Sequence, residues 1–215
     1  GASNRAWVGP GAPPDLRGGR RRDDFKTAAA FAEVVLGGRI ANAQAGARYE
    51  YHDVVGGAFV PRLAVTRVFG PVHAKLLYAE AFRTPGFGNL ALATDIQAEK
   101  TRVAEAEVGY RFDDRFSASA NVFQIAIDRP IIYMSDPETN REGYFNGAQT
   151  GSRGVEVDAR LFLLGGWWTA GYAFYAPAGL NEVDDYTVPG RSEVLRAFPR
   201  HKLTLSGRLP FGPVR

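Results

Sequence analysis

The chain alternates polar and apolar residues over about nine stretches, which is the clearest pattern in its 215 residues. The stretch 39–52 shows it best. Alanine or tyrosine occupies every odd position from Ala41 to Tyr51, and polar residues or glycine occupy the even positions between them. Side chains two residues apart lie on the same face of a β-strand, so each stretch predicts a strand with one apolar and one polar face.

The predicted strands cover 26–36, 39–52, 58–69, 72–82, 97–112, 115–134, 142–163, 167–176 and 198–210. Every second connection is a tight-turn dipeptide: Gly37-Gly38, Gly70-Pro71, Asp113-Asp114 and Gly165-Gly166. The other connections are longer and cover 53–57, 83–96, 135–141 and 177–197. This order predicts an all-β fold, an antiparallel up-and-down meander of about nine long strands with its turns at one end and its loops at the other.

Two segments depart from the simple pattern. In 115–134 the apolar set moves from even positions ending at Val122 to odd positions starting at Phe123. Either a bulge near Val122 or the exit of the upper strand from a membrane explains the change. The segment 161–180 is apolar enough for a transmembrane helix, but Gly165-Gly166 and the flanking alternation favour a hairpin. That hairpin would place four aromatic residues near membrane–water interfaces: Trp167, Trp168, Tyr172 and Tyr175.

Composition excludes several classes of function. No cysteine is present, so neither a disulfide framework nor thiolate chemistry is available. The net charge of +3 is small, and five arginines fall in residues 1–24, which we expect to be a disordered or loop tail. A single aromatic residue, Trp7, lies among these arginines, so no series of stacking partners is present and we predict no nucleic-acid binding. The chain starts at Gly1 without a signal peptide, which indicates a mature or truncated piece.

Catalytic and metal-binding patterns are weak. His52, His73 and His201 are scattered, and neither a Ser–His–Asp spacing nor a metal-ligand pair is apparent. Tyr51-His52-Asp53 could hold an acid–base pair, but it is better explained as a solvated strand end. We therefore predict no enzyme activity, no catalytic or metal residues and no cofactor.

Four segments, in this order, resemble TonB-dependent outer-membrane receptors: AEAFRTPGFGNL (79–90), EKTRVAEAEVGYRF (99–112), GYFNGAQTGSRGVEVDAR (143–160) and FPRHKLTLSG (198–207). The segment 49–70 resembles the preceding hairpins, and the resemblance covers about residues 26–210. It implies part of a 22-strand transmembrane β-barrel that a plug domain closes. Such receptors import ferric siderophores, cobalamin or similar scarce nutrients with energy passed through TonB.

The chain lacks the plug, the TonB box and more than half of the expected strands. We therefore expect a fragment, with residues 25–215 forming a partial receptor barrel of a Gram-negative outer membrane. The expected partners are outer-membrane lipid, the plug domain and TonB in the intact receptor, and a small-molecule ligand such as a ferric siderophore or cobalamin. The alternatives are a general porin or secretion barrel, an outer-membrane enzyme, and a soluble β-sandwich with Tyr49, Val157, Trp168 and Leu205 buried.

The long loops supply the candidate substrate-binding residues, because binding residues concentrate in loops. Arginines could pair with anionic groups of a siderophore, and aromatic rings could pack on its rings. The candidates are Arg83, Phe87, Asn89, Tyr133, Tyr144, Tyr186, Arg191 and Arg196. A second set of charges should line the lumen and neutralise itself there: Glu105, Glu107, Glu156 and Asp158 with Arg48, Lys75, Arg111 and Arg160.

Overall fold

The computed structural model describes residues 2–7, 22–92, 95–135, 142–178, 186–196, 198–210 and 212. Within these ranges the one helix is α1, Phe87–Leu92. The strands are β1 Ala2–Trp7, β2 Arg22–Leu36, β3 Asn42–His52, β4 Gly56–Phe69, β5 Val72–Arg83, β6 Glu99–Arg111, β7 Phe116–Asp128, β8 Ile131–Ser135, β9 Glu142–Asn146, β10 Gln149–Leu163, β11 Gly166–Pro177, β12 Thr187–Val188, β13 Arg191–Leu195 and β14 His201–Arg208.

Ten strands form one antiparallel sheet in the order β1-β2-β3-β4-β5-β6-β7-β10-β11-β14. The remaining strands form two small hairpins in the connections, β8 with β9 and β12 with β13. The antiparallel up-and-down meander is confirmed. The sandwich interpretation is wrong, because the four residues that a sandwich would bury are between 38% and 74% exposed.

The N-terminal residues differ from the prediction that 1–24 form a disordered or loop tail. Ala2–Trp7 forms β1 and pairs with β2, from Ala2 opposite Thr27 to Trp7 opposite Arg22. Residues 8–21 lie outside the described residues. The sequence of β1 has no apolar alternation, so its strand depends on backbone hydrogen bonds to β2, which a periodicity search does not detect.

Two predicted strands are each divided in two. The ladder of β7 stops at Asp128, where Arg129 takes a φ of 53° and Pro130 has no N–H to donate. The chain then enters the separate hairpin of β8 and β9. In the same way the predicted strand 142–163 becomes β9 and β10, with two residues between them.

The segment 161–180 forms the β10–β11 hairpin, which confirms the hairpin interpretation over the helix. Its turn is Leu164-Gly165, one residue earlier than predicted, and both residues have positive φ (57° and 75°), as a type I′ turn requires. Gly166 is already paired in β11, where a Cβ would overlap the carbonyl oxygen of Arg208. Among the described residues, no helix is long and apolar enough to cross a membrane.

The connections define two ends of the sheet. The turn end carries the connections 37–41, 70–71, 112–115 and 164–165, and the loop end is opposite. One loop-end link is shorter than predicted, because Asp53–Val55 joins β3 to β4 instead of 53–57. Gly56, with a φ of 84°, allows β4 to begin directly after this three-residue turn.

The sheet has one apolar and one polar face. A row of directly paired residues crosses seven strands on the apolar face: Ala43, Val65, Leu76, Ala106, Val122, Val155 and Phe174. The adjacent row on the polar face consists of Asn42, Thr66, Lys75, Glu107, Asn121, Glu156, Ala173 and Lys202. Alternation also divides the four aromatic residues of β11, since Trp168 and Tyr172 share the apolar face while Trp167 and Tyr175 share the polar face.

Towards the loop end the two faces exchange character. On the apolar face, Glu80 lies 2.7 Å from Lys100, and the carboxylate of Asp128 lies 2.8 Å from the guanidinium of Arg102. On the polar face, the positions beyond Asn121 are Phe123, Ile125 and Ile127.

This exchange accounts for the phase change in the sequence of β7. The strand pairs with both neighbours without a register shift, so the predicted bulge near Val122 is wrong. That the part of β7 beyond Val122 leaves a membrane stays a prediction. The ion pairs on β5, β6 and β7 favour it, because they lie on the apolar face beyond Val122, towards the loop end.

Candidate functional site

A small hydrophobic core holds the loop end together. Phe25, Leu90, Ile96 and Ile131 are buried, and Phe87 of α1 stacks on Phe25 with 4.2 Å between ring centroids. His52 is 5% exposed, meets Phe25 edge-on and accepts a hydrogen bond from the Val54 N–H through Nδ1. The core therefore joins β2, the β3–β4 turn, α1 and β8.

Three predicted binding residues build this core and its surroundings. Phe87 is packed as described above, and Asn89 accepts a hydrogen bond from the Gly86 N–H at 2.8 Å. The guanidinium of Arg83 donates to Glu99 at 2.8 Å and to the Ile131 carbonyl at 3.1 Å. Glu99 also accepts the Ile131 N–H, so Arg83 and Glu99 together fix the start of β8.

Beside this core lies a cavity of about 670 Å³, which we call the rim cavity. Three of the predicted binding residues, Tyr133, Tyr186 and Arg196, meet in its wall. Its lining also includes Ile131, Ile132, Met134 and Glu142, which the sequence analysis did not select. The three residues of β8 were missed because 115–134 was assigned to a single spanning strand, and Glu142 because it was assigned to the predicted strand 142–163. Pro130 was the signal that a separate loop hairpin starts at this point.

Polar and aromatic groups of β8 and β9 shape the rim cavity. The Tyr133 hydroxyl donates to Glu142 at 3.1 Å, and this hydrogen bond raises the pKa of Tyr133 because the carboxylate stabilises the protonated phenol. The Tyr133 ring meets the Tyr144 ring edge-on at 5.2 Å. Tyr144 also packs against the loop-end core, so its ring lies between the core and the ring of Tyr133 and restricts the position of Tyr133.

Arg196 is the cationic group of the rim cavity. Its backbone N–H donates to the Tyr186 carbonyl at 2.9 Å, which ties the two lining residues together. Its side chain is exposed, and within the described part of the chain no carboxylate pairs with its guanidinium. The remaining candidate, Arg191, lies on β13 and is not among the lining residues. The rim cavity thus combines the rings of Tyr133 and Tyr186 with the exposed guanidinium of Arg196.

On the polar face, several predicted lumen charges have partners within the wall. Lys75 Nζ lies 3.5 Å from Glu105 and 3.6 Å from Glu107, and Glu107 also contacts His73. Two further charges meet uncharged partners, since Arg160 lies over the Trp167 ring at 4.2 Å and Glu156 accepts from Tyr175 at 2.6 Å. Arg48 pairs with Glu50.

The three histidines lie far apart in the fold. His52 ends β3 at the loop end, His73 lies near the turn end of β5, and His201 contacts the Tyr172 hydroxyl at the start of β14. In the described ranges no cluster of three or more acidic, histidine or cysteine residues could hold a metal ion. The structure therefore brings no acid–base pair of histidines to one rim.

Comparisons with known proteins were made for the sequence and for the fold. The family model described as TonB dependent receptor-like, beta-barrel matches residues 3–213. No curated protein matches the chain.

Three solved structures illustrate the likeness of fold. The siderophore receptor PirA from Pseudomonas aeruginosa is 17% identical with a TM-score of 0.66, over 74% of this chain and 33% of that chain. A mutant of the ferric enterobactin receptor PfeA from the same organism is 18% identical with a TM-score of 0.63, over 79% of this chain and 29% of that chain. The FrpB iron transporter from Neisseria meningitidis is 16% identical with a TM-score of 0.61, over 73% of this chain and 26% of that chain. This chain therefore spans a third or less of their length.

Proposed function

Because this chain belongs to the TonB-dependent receptor β-barrel family, we propose that it forms part of the wall of an outer-membrane receptor that takes up a ferric siderophore or a similar scarce nutrient. The rim cavity carries this proposal, since it places Tyr133, Tyr186 and Arg196 at the end of the sheet where the long connections meet. In the intact receptor the partners would be outer-membrane lipid, a plug domain and TonB. Family membership also favours a receptor over a general porin and over an enzyme.

The apolar face supports a membrane position. Large apolar side chains on it are exposed, among them Leu63, Leu76, Val108, Leu203 and Leu205. On β10 the apolar run from Val155 to Leu163 covers roughly 20 Å along the membrane normal, with a rise of about 3.3 Å per residue and a tilt of about 40°. An outer-membrane barrel presents an apolar band of about 25 Å, so the run spans most of that band.

Ligand capture follows from the chemistry of the rim cavity. A ferric siderophore commonly presents anionic groups and flat, delocalised groups, and the cavity offers one guanidinium and two tyrosine rings for them. Lumen charges that pair with one another would contribute little to this recognition. We therefore assign substrate contact to the rim cavity and a supporting role to the polar face below it.

The test uses the product of the complete gene in outer membranes of a Gram-negative host. Binding and uptake of iron-55 would be measured with a panel of ferric siderophores for Tyr133→Ala, Arg196→Ala and the control Arg39→Ala. Arg39 is an exposed arginine in the connection 37–41 at the opposite end of the sheet. We expect Arg196→Ala to weaken binding about tenfold, as loss of a charge-assisted hydrogen bond does, and Arg39→Ala to have no effect. Absence of binding to every ferric siderophore would contradict the proposal.

A further inference from the structure

A second cavity, of about 200 Å³, lies on the polar face towards the loop end. We call it the recess. Its floor is formed by Ile125 and Ile127 of β7 with Ser152 of β10, which pairs directly with Ile125. Its walls are Tyr186 and Phe198 from the last connection. Apolar side chains therefore dominate a pocket on the face that is polar elsewhere.

The recess and the rim cavity adjoin each other, because Tyr186 lines both. The rim cavity contains two charged side chains, Arg196 and Glu142, beside its apolar lining. The recess is apolar and is the smaller of the two compartments. A ligand that reaches both would need a charged part and an uncharged apolar part.

Packing within the wall does not cover the apolar surface of the recess. Phe198 stacks on Tyr175 with 5.7 Å between ring centroids, and Tyr175 contacts Phe123 at 5.4 Å, yet Phe198 remains 52% exposed. Ile125 and Ile127 are only partly buried. Apolar surface left open to water in this way favours an apolar ligand group, since its burial releases the hydration cost.

We propose that the rim cavity and the recess together bind one amphiphilic iron chelate, with its anionic part at Arg196 and one uncharged apolar arm in the recess. This inference rests on the proposed function and names the substrate class of the same site. A cavity of about 150 Å³ holds benzene, so the recess has room for a single aromatic ring or a short acyl chain.

The experiment compares two probes on the complete gene product in detergent: a ferric trihydroxamate chelate that bears one free carboxylate, and the same anionic chelate carrying one additional benzoyl group. Ser152→Leu fills the recess from its floor. Thr204→Leu is the matched control, because it adds a leucine to the same face on β14, away from the recess. Binding of both chelates to the wild type and to each variant would be measured by titration calorimetry.

We expect the benzoyl group to tighten binding about tenfold in the wild type and in Thr204→Leu. Ser152→Leu should remove this gain and leave the affinity for the unmodified chelate unchanged, which also shows that the variant is folded. Equal affinities of the two chelates for the wild type would overturn the inference. A benzoyl gain that survives in Ser152→Leu would do the same and would indicate that another part of the protein fills the recess.

A metal-free probe separates this inference from the proposed function. If the whole panel of ferric siderophores and both chelates fail to bind, the proposed function fails, and 4-fluorobenzenesulfonate, with one ring and one anionic group, then tests the two compartments by fluorine NMR. Binding that is weakened by Ser152→Leu and by Arg196→Gln supports the amphiphilic site. No binding, or binding that both variants leave unchanged, refutes it.

Discussion

The indole ring of Trp168 lies directly against the backbone of Gly207, its cross-strand partner between β11 and β14. A Cβ on Gly207 would stand 2.6 Å from two ring carbons, so the glycine provides the space that the ring fills. The same pairing recurs where His73 faces Gly109 and where Phe123 faces Gly154. Aromatic residues thus cover glycines along the sheet and compensate for the packing that a glycine lacks in a strand.

Gly207→Ala should lower the free energy of unfolding by about 1–2 kcal/mol, because the ring of Trp168 must move to admit a methyl group. Urea unfolding of the complete gene product in lipid vesicles, followed by tryptophan fluorescence, measures this loss. Gly37→Ala is the control, since a Cβ at Gly37 would meet only the Asn42 Oδ1 at 3.7 Å, an ordinary van der Waals contact. Equal stability of Gly207→Ala and the wild type would contradict the close contact.

Leu164→Asn should stabilise the β10–β11 hairpin by about 1 kcal/mol. Leu164 holds a φ of 57°, which is costly for a bulky residue, and asparagine followed by glycine suits both positions of a type I′ turn. The same unfolding experiment applies. Gly165→Ala should act in the opposite direction through backbone strain alone, because φ is 75° there and a Cβ would meet nothing within 4 Å.

Val122→Arg should destabilise the assembled barrel more than Gln124→Arg, although both positions share one strand and one face. Val122 belongs to the apolar row, whereas Gln124 is one step closer to the ion pairs near the loop end. An arginine at the bilayer midplane costs about 2–4 kcal/mol, and one near an interface costs about 0–1 kcal/mol. Unfolding in lipid vesicles measures both variants, and equal losses would place Gln124 as deep in the bilayer as Val122.

Glu99→Ala should loosen the start of β8. It removes the acceptor for the Ile131 N–H, a part-buried hydrogen bond worth about 1–2 kcal/mol, and the acceptor for the exposed Arg83 guanidinium, an ion pair worth about 0–1 kcal/mol. Hydrogen exchange at the Ile131 amide should accelerate by roughly tenfold or more. Glu33→Ala is the comparison, because Glu33 accepts from Gln44 at an exposed position. Unchanged exchange at Ile131 would show that Glu99 does not anchor the hairpin.

Alternation in the sequence was sufficient for the strands that cross the sheet. The pattern from Ala41 to Tyr51 predicted β3 and its faces, and the tight-turn dipeptides identified the turn end within a few residues. The prediction from alternation failed for β1, which is held by backbone pairing with β2. It also failed at Pro130, where a break in the backbone divides an apolar run into two strands. The phase change at Val122 was visible in the sequence, but only the register of β7 excluded a bulge.

The loop candidates show the other limit. Eight residues were selected for their chemistry, and the fold gathers Tyr133, Tyr186 and Arg196 in one cavity while Phe87 and Arg83 stabilise the core beside it. The sequence does not distinguish an arginine or aromatic residue that lines a binding cavity from one that stabilises the core. Its role depends on whether a partner such as Glu99 lies within reach.

The order of residues determines the long strands of the sheet and their two faces, because alternation arises from the local geometry of an extended backbone and needs no distant contact. The tertiary structure decides which loop side chains meet, which glycine receives an aromatic ring, and where the faces exchange character. These features depend on contacts between residues far apart in the chain, such as Arg83 with Ile131 and Trp168 with Gly207. Such contacts exist only once the register of the whole sheet is set.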